Sequence, residues 1–112
     1  MKSFMLLMKG DDSQNATPEE MQQRMQDYRA WMMGMMEKGS LTTGEPLEPT
    51  GRMLLNKDTV LTDGPFLEPK EIIGGYIMIK AVDLDAAAEI AKGCPLLEHC
   101  AIEVRPVMNV PG

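Results

Sequence analysis

Aromatic residues are scarce in this chain: one tryptophan, two tyrosines and two phenylalanines among 112 residues. The apolar share of 44 % therefore rests on aliphatic side chains and on twelve methionines, flexible thioethers that fill irregular gaps. Cysteine is also scarce. Cys94 and Cys100 are too few for a disulfide framework, and the expected setting is the cytoplasm, with both thiols reduced. Basic charge is in deficit, 11 residues against 17 acidic ones for a net charge of -6, which disfavours direct nucleic-acid or anionic-membrane binding. Long apolar runs are missing too. The first, Phe4 to Met8, is too short for a signal h-region and leads into Lys9-Gly10-Asp11-Asp12 in place of a cleavage site. With one histidine, His99, neither a Ser-His-Asp set nor a Cys-His nucleophile can be assembled from spacing.

What is present suits one domain, residues 1–112, with a single modest core. Lys2 to Lys9 is nearly continuously apolar inside, which predicts a central strand with both faces covered. Thr17-Pro18-Glu19-Glu20 combines an N-cap hydroxyl, a proline at the first helical position and a glutamate at the third. The helix starting there carries Met21, Met25, Tyr28, Met32 and Met35 as one stripe, with Glu19, Arg24 and Glu37 among the solvent charges. Trp31, Met33 and Met36 flank the stripe, and Gly39 suits the left-handed position that ends the helix.

Glycines and prolines make 39–51 a connecting loop, after which Arg52–Leu55 and Thr59–Leu61 form a hairpin across Asn56-Lys57-Asp58. Asp63-Gly64-Pro65 is a second turn. From Glu71 the chain extends again, passes Gly74-Gly75, where close packing or a bulge is expected, and runs through Tyr76–Val82 as a second central strand. Asp83 caps a short alanine-rich helix to Lys92, and Ala101–Met108 closes the chain as a strand. This order is the split βαβ arrangement of an α+β, ferredoxin-like fold: a four-stranded antiparallel sheet plus a small extra hairpin. Two helices cover one sheet face. Strands this apolar on both sides would then expose a large patch, which a homodimer packed through the sheet face removes.

The stretch Leu61-Thr62-Asp63-Gly64-Pro65-Phe66-Leu67-Glu68-Pro69-Lys70-Glu71-Ile72-Ile73-Gly74-Gly75-Tyr76 resembles the signature of the DGPF branch of the YCII-related family. Gly44-Glu45-Pro46-Leu47, Ala91-Lys92-Gly93-Cys94-Pro95 and Ile102-Glu103-Val104-Arg105-Pro106-Val107 extend the resemblance over nearly the whole chain. It implies a dimeric α/β barrel of ferredoxin-like protomers, similar in fold to small enzymes acting on cyclic or aromatic compounds. DGPF domains also occur near, or fused to, extracytoplasmic-function sigma factors, which implies a second reading as a non-catalytic regulatory module in transcription control. The wider family is associated with a His-Asp pair whose histidine lies on the first helix. That helix has no histidine here, so the pair does not carry over.

The candidate working groups follow. Asp63, at a strand-to-turn transition beside Gly64, is the acid/base candidate, or else a turn former capping its own backbone. Glu68, Lys70 and Glu71 are ligand-binding candidates or solvated loop charges. Glu103 and Arg105, two apart on a strand, share the face opposite Ile102 and Val104. There they either clamp an anionic ligand in a cavity between protomers or form a structural ion pair. Tyr76 offers a hydroxyl to the same place or packs with its tip wet. Cys94, His99 and Cys100 lack the paired spacing of a zinc site, so no metal and no cofactor is expected. The expected ligand is a small polar or cyclic compound in a cleft between the sheet and the first helix.

Overall fold

The computed structural model describes residues 1–10, 15–48, 50–62 and 72–109, with only the backbone described at 61 and 62. Its centre is the antiparallel pairing of β1 (Lys2–Lys9) with β5 (Ile73–Ala81), in register from Lys2 opposite Ala81 to Met8 opposite Gly75. Side chains alternate across a strand, so Phe4, Leu6 and Met8 of β1 and Ile77, Ile79 and Ala81 of β5 all point to one face and are buried there. Phe4, Leu6, Ile77 and Ile79 are at most 1 % exposed. Each contributes about 1.5–3 kcal/mol relative to an exposed position.

β6 (Ala101–Pro106) pairs antiparallel with β1, and β2 (Leu41–Pro46) pairs antiparallel with β5, giving the strand order β2-β5-β1-β6. The two apolar runs thus occupy the middle of a four-stranded sheet, as the ferredoxin-like reading requires. One assignment needs correction: within the expected loop 39–51, residues 41–46 form an edge strand of this sheet. An edge position tolerates Gly44 and Pro46, which would weaken a central strand. Gly44 is also required by packing, since a Cβ there would collide with Ile77 Cγ2 and lie 2.8 Å from the Tyr76 carbonyl oxygen. The expected hairpin does form, from β3 (Arg52–Leu54) and β4 (Val60–Thr62), but as a separate two-stranded sheet. Its turn is held by Asn56 Oδ1 accepting from the Asp58 amide at 2.9 Å.

Helix α1 (Pro18–Glu37) begins with the expected capping box: Thr17 Oγ1 accepts from the Glu20 amide while the Glu20 carboxylate accepts from the Thr17 amide. It ends where Gly39 takes a φ of 75°, a left-handed conformation natural to glycine. Only the C-terminal half of its stripe reaches the core, through the buried Met35 and the half-buried Tyr28 and Met32, and the flanking Trp31 packs there as well. Helix α2 (Leu84–Lys92) is capped by Asp83 Oδ1, which accepts from the Ala86 amide at 2.8 Å. Its buried Ala87 and Ala91 let the helix backbone approach the sheet closely. A 3₁₀ turn, Pro95–Glu98, links α2 to β6, which is shorter than the expected strand to Met108.

On the helix-free face lie Met5 and Leu7 of β1 beside Tyr76 and Met78 of β5, all half-buried within the single chain. Among the described residues no helix is long and apolar enough to cross a membrane.

Two glycines test this architecture with opposite signs. Gly34→Ala, where an added methyl meets nothing within 4 Å in the interior of α1, is expected to stabilise the protein by about 0.5–1 kcal/mol. Gly44→Ala drives the methyl into Ile77 and is expected to destabilise it by about 1–3 kcal/mol. Urea denaturation of both variants measures the difference, and stabilisation at both positions would contradict the β2–β5 packing.

Candidate functional site

The N-terminal half of α1 overhangs the sheet at the Met8 end of β1 without sealing onto it. A cleft of about 190 Å³ results, walled by Met21, Met25 and Tyr28 of α1, by Met8, Gly74 and Gly75 of the sheet, by Gly10 and Pro46, and by Leu96 beyond the end of α2. Arg24, His99 and Cys100 add its charged and polar groups. Local sequence explains the gap. Opposite the step from Met8 to Lys9 the pairing jumps from Gly75 to Ile73, so Gly74 is the extra residue of a bulge. Two adjacent residues without side chains therefore floor the cleft, and the Gly10 amide donates to the Ile72 carbonyl at 2.8 Å to fix its edge. Met25, on the expected core stripe, remains 37 % exposed because it faces this space.

The far wall is held by one carbonyl. Leu96 O accepts from the His99 amide at 2.9 Å, from the Cys100 amide at 3.0 Å and from Cys100 Sγ at 3.3 Å, which tightens the turn and holds His99 and Cys100 at the cleft. On the α1 side, Arg24 Nη1 lies 3.8 Å from Met21 Sδ, so the guanidinium runs along the methionine wall. Tyr28 stacks on Trp31 with ring centroids 6.1 Å apart. Burial, reinforced by the thiols of Cys94 and Cys100, pushes the Tyr28 phenol up to about 12. It is therefore a proton-bearing donor at neutral pH. Burial likewise pushes the Cys94 thiol up to about 11, which suppresses the thiolate needed for nucleophilic chemistry.

The sequence-derived candidates divide between two faces. Tyr76, Glu103 and Arg105 lie on the helix-free face, away from this cleft, because they alternate with residues whose side chains pack into the core. In register, Glu45, Tyr76, Leu7 and Glu103 form one row across the four strands, with Tyr76 and Glu103 two strand spacings apart, about 10 Å. Arg105 Nη1 donates to Glu103 Oε2 at 3.2 Å and Lys9 Nζ to Glu103 Oε1 at 3.3 Å. These hydrogen bonds, Arg105's foremost, lower the Glu103 pKa from its ordinary value. Asp63, Glu68, Lys70 and Glu71 lie outside the described residues.

The groups at the cleft are mostly ones that periodicity assigns elsewhere. Arg24 follows Met21 by three positions and so shares its side of the helix, yet its charge places it among the solvent residues. His99 and Cys100 look like weak metal ligands in sequence. Among the described residues no cluster of three or more His, Cys, Asp or Glu is positioned to hold a metal.

Residues 1–111 match the family model of the YCII-related domain. No curated protein matches the chain. Among solved structures it is similar to the 5-chloro-2-hydroxyhydroquinone dehydrochlorinase of Burkholderia phenoliruptrix in complex with 2,5-dihydroxybenzoquinone. That match has a TM-score of 0.52 and 17 % sequence identity over 96 % of this chain and 95 % of the other, a likeness of fold.

The buried donors predict an alkaline limit to stability. Both groups have folded pKa values above their ordinary ones, 9.0 rising to about 11 for Cys94 and 10.0 rising to about 12 for Tyr28. The unfolded chain then loses these protons first, so their contribution is complete below pH 9 and falls as pH rises toward 11 to 12. Thermal melts of Cys94→Ala and Tyr28→Phe should show a shallower loss of melting temperature between pH 9 and 11 than the unsubstituted protein.

Proposed function

The chain belongs to the YCII-related family, and on that footing we propose that it is an enzyme acting on a small, polar cyclic compound bound in the cleft between α1 and the sheet. The observation that carries this reading is the cleft itself. Its volume of about 190 Å³ exceeds the roughly 150 Å³ of an apolar cavity that accepts benzene. Its walls combine methionine side chains with an imidazole, a phenol and a guanidinium. Apolar walls with a few convergent polar groups are the usual composition of a small-molecule site. The similar dehydrochlorinase, which handles a substituted hydroquinone, supports a single-ring substrate. Within the family we assign the chain to the DGPF branch on its Leu61–Tyr76 motif, and we assign Asp63 of that motif the acid/base role.

A second copy of the chain completes the molecule in this reading. Met5, Leu7, Tyr76 and Met78 form the middle of a sheet face on which, among the described residues, no helix packs, rimmed by the Lys9, Glu103 and Arg105 ion pairs. Pairing through that face removes the apolar middle from water and leaves the charges at the border, the usual anatomy of a stable interface. Asp63, Glu68, Lys70 and Glu71 act on ligand in this reading, while Tyr76, Glu103 and Arg105 belong to the contact between protomers.

Two measurements test these readings. Asp63→Asn should leave the thermal transition unchanged and abolish turnover of hydroxylated benzoquinones and hydroquinones, whereas equal turnover by the variant would remove Asp63 from the chemistry. Light scattering at micromolar concentration should give twice the chain mass of 12.4 kDa. Met78→Asp should return it to the single mass, and a monomer in the unsubstituted protein would refute the paired sheets.

A further inference from the structure

The polar side chains at the cleft differ in how they are engaged. Arg24, His99 and Cys100 each hold interactions within the protein. The Tyr28 hydroxyl, by contrast, has no hydrogen-bond partner among the described residues. No fully buried side-chain oxygen or nitrogen of those residues lacks such a partner, so Tyr28 Oη keeps contact with open space. The open space that Tyr28 lines is the cleft.

The ring behind that hydroxyl is held from the rear. It stacks on Trp31 at an interplanar angle of 27°. Trp31 in turn lies against the end of α2, where a Cβ added at Gly93 would come within 3.3 Å of Trp31 Nε1. Both rings also pack against the buried core. The phenol is therefore a donor whose position is set before a ligand arrives, with only its O–H bond free to turn. Burial at that point disfavours a charged oxygen, as the raised pKa of the phenol itself reflects. A neutral acceptor on the ligand meets both conditions, and a carbonyl is one that brings no proton of its own to place. On the sheet side of the same space Gly74 and Gly75 let a flat ring lie close to the backbone, and the thioethers of Met8, Met21 and Met25 suit its edges.

We propose that Tyr28 is the residue that reads the ligand: its hydroxyl donates a hydrogen bond to a carbonyl oxygen on the ring, so that cyclic ketones are the compounds the cleft prefers. This rests on the cleft being the ligand site, and it adds the functional group that is recognised and the side chain that recognises it. Tyr28 is thus a specificity-determining residue whose ring packs and whose hydroxyl selects. Removing the hydroxyl while keeping the ring separates the two roles.

The probes are γ-pyrone and toluene, flat six-membered rings of which only the first bears a ring carbonyl. Each is titrated into the full chain and followed by amide NMR shifts at the cleft. Tyr28→Phe should weaken γ-pyrone binding about two- to tenfold, the worth of one neutral hydrogen bond, and leave toluene binding and the thermal transition at neutral pH as they were. A second measurement needs no substitution and decides alone if the variant does not fold. With carbon-13 at the tyrosine Cζ the chain gives two resonances, from Tyr28 and Tyr76. Tyr28 Cζ should move with γ-pyrone and much less with toluene, while Tyr76, on the helix-free face, should stay in place with both. Cleft shifts with toluene alone, equal weakening of both probes by Tyr28→Phe, an unchanged γ-pyrone affinity in that variant, or an unmoved Tyr28 Cζ at saturation would overturn the role of the hydroxyl and leave the cleft as the ligand site. Absence of cleft shifts with both probes would overturn the two readings together.

Discussion

The antiparallel pairing of β1 with β5 is the constraint on which the other elements depend, because it aligns two apolar strands so that Phe4, Leu6 and Met8 meet Ile79, Ile77 and the Gly75 position on one face. A slip of one residue would carry every one of those side chains to the opposite face. With that register set, β6 and β2 have one free strand edge each, and both helices have one surface on which to bury their apolar sides. The capping box of α1 and the Asp83 cap of α2 then determine where each helix begins over that surface.

The cleft arises where this pairing ends. Beyond Met8 the bulge at Gly74 interrupts the ladder, and two glycines leave the sheet without side chains on the side that α1 overhangs. The C-terminal half of α1 is anchored by Met35 and Trp31, so the N-terminal half is positioned at a distance set elsewhere and cannot collapse to fill the gap. The 3₁₀ turn supplies the third wall, its geometry held by three hydrogen bonds to the Leu96 carbonyl. The cleft is thus a by-product of how strand, helix and turn end.

The two sheet faces carry different polar residues. Glu103 and Arg105 alternate with Ile102 and Val104, so the packing of the latter against the core places the charged pair on the helix-free side. Arg24 and His99, from a helix and a turn, come to the opposite side. Charge in the sequence does not separate these groups, since an arginine beside a methionine stripe and an arginine between two strand residues look alike until the layers are assigned.

From its order of residues alone, the chain determined its element types, both helix caps, the identity of the two central strands and the alternation that separates Ile102 and Val104 from Glu103 and Arg105. Those features rest on spacings of two to four residues, which short-range sterics and hydrogen bonding dictate. Residues 41–46 escaped that logic because an edge strand next to β5 is specified by its neighbour and by the fit of Gly44 against Ile77, a contact between positions 33 apart. The meeting of Arg24, Tyr28, His99 and Gly75 around one space was likewise decided by tertiary structure. No local period relates a helix face, a strand bulge and a turn, and their convergence follows from the lengths of β1 and α1 and the point at which each stops.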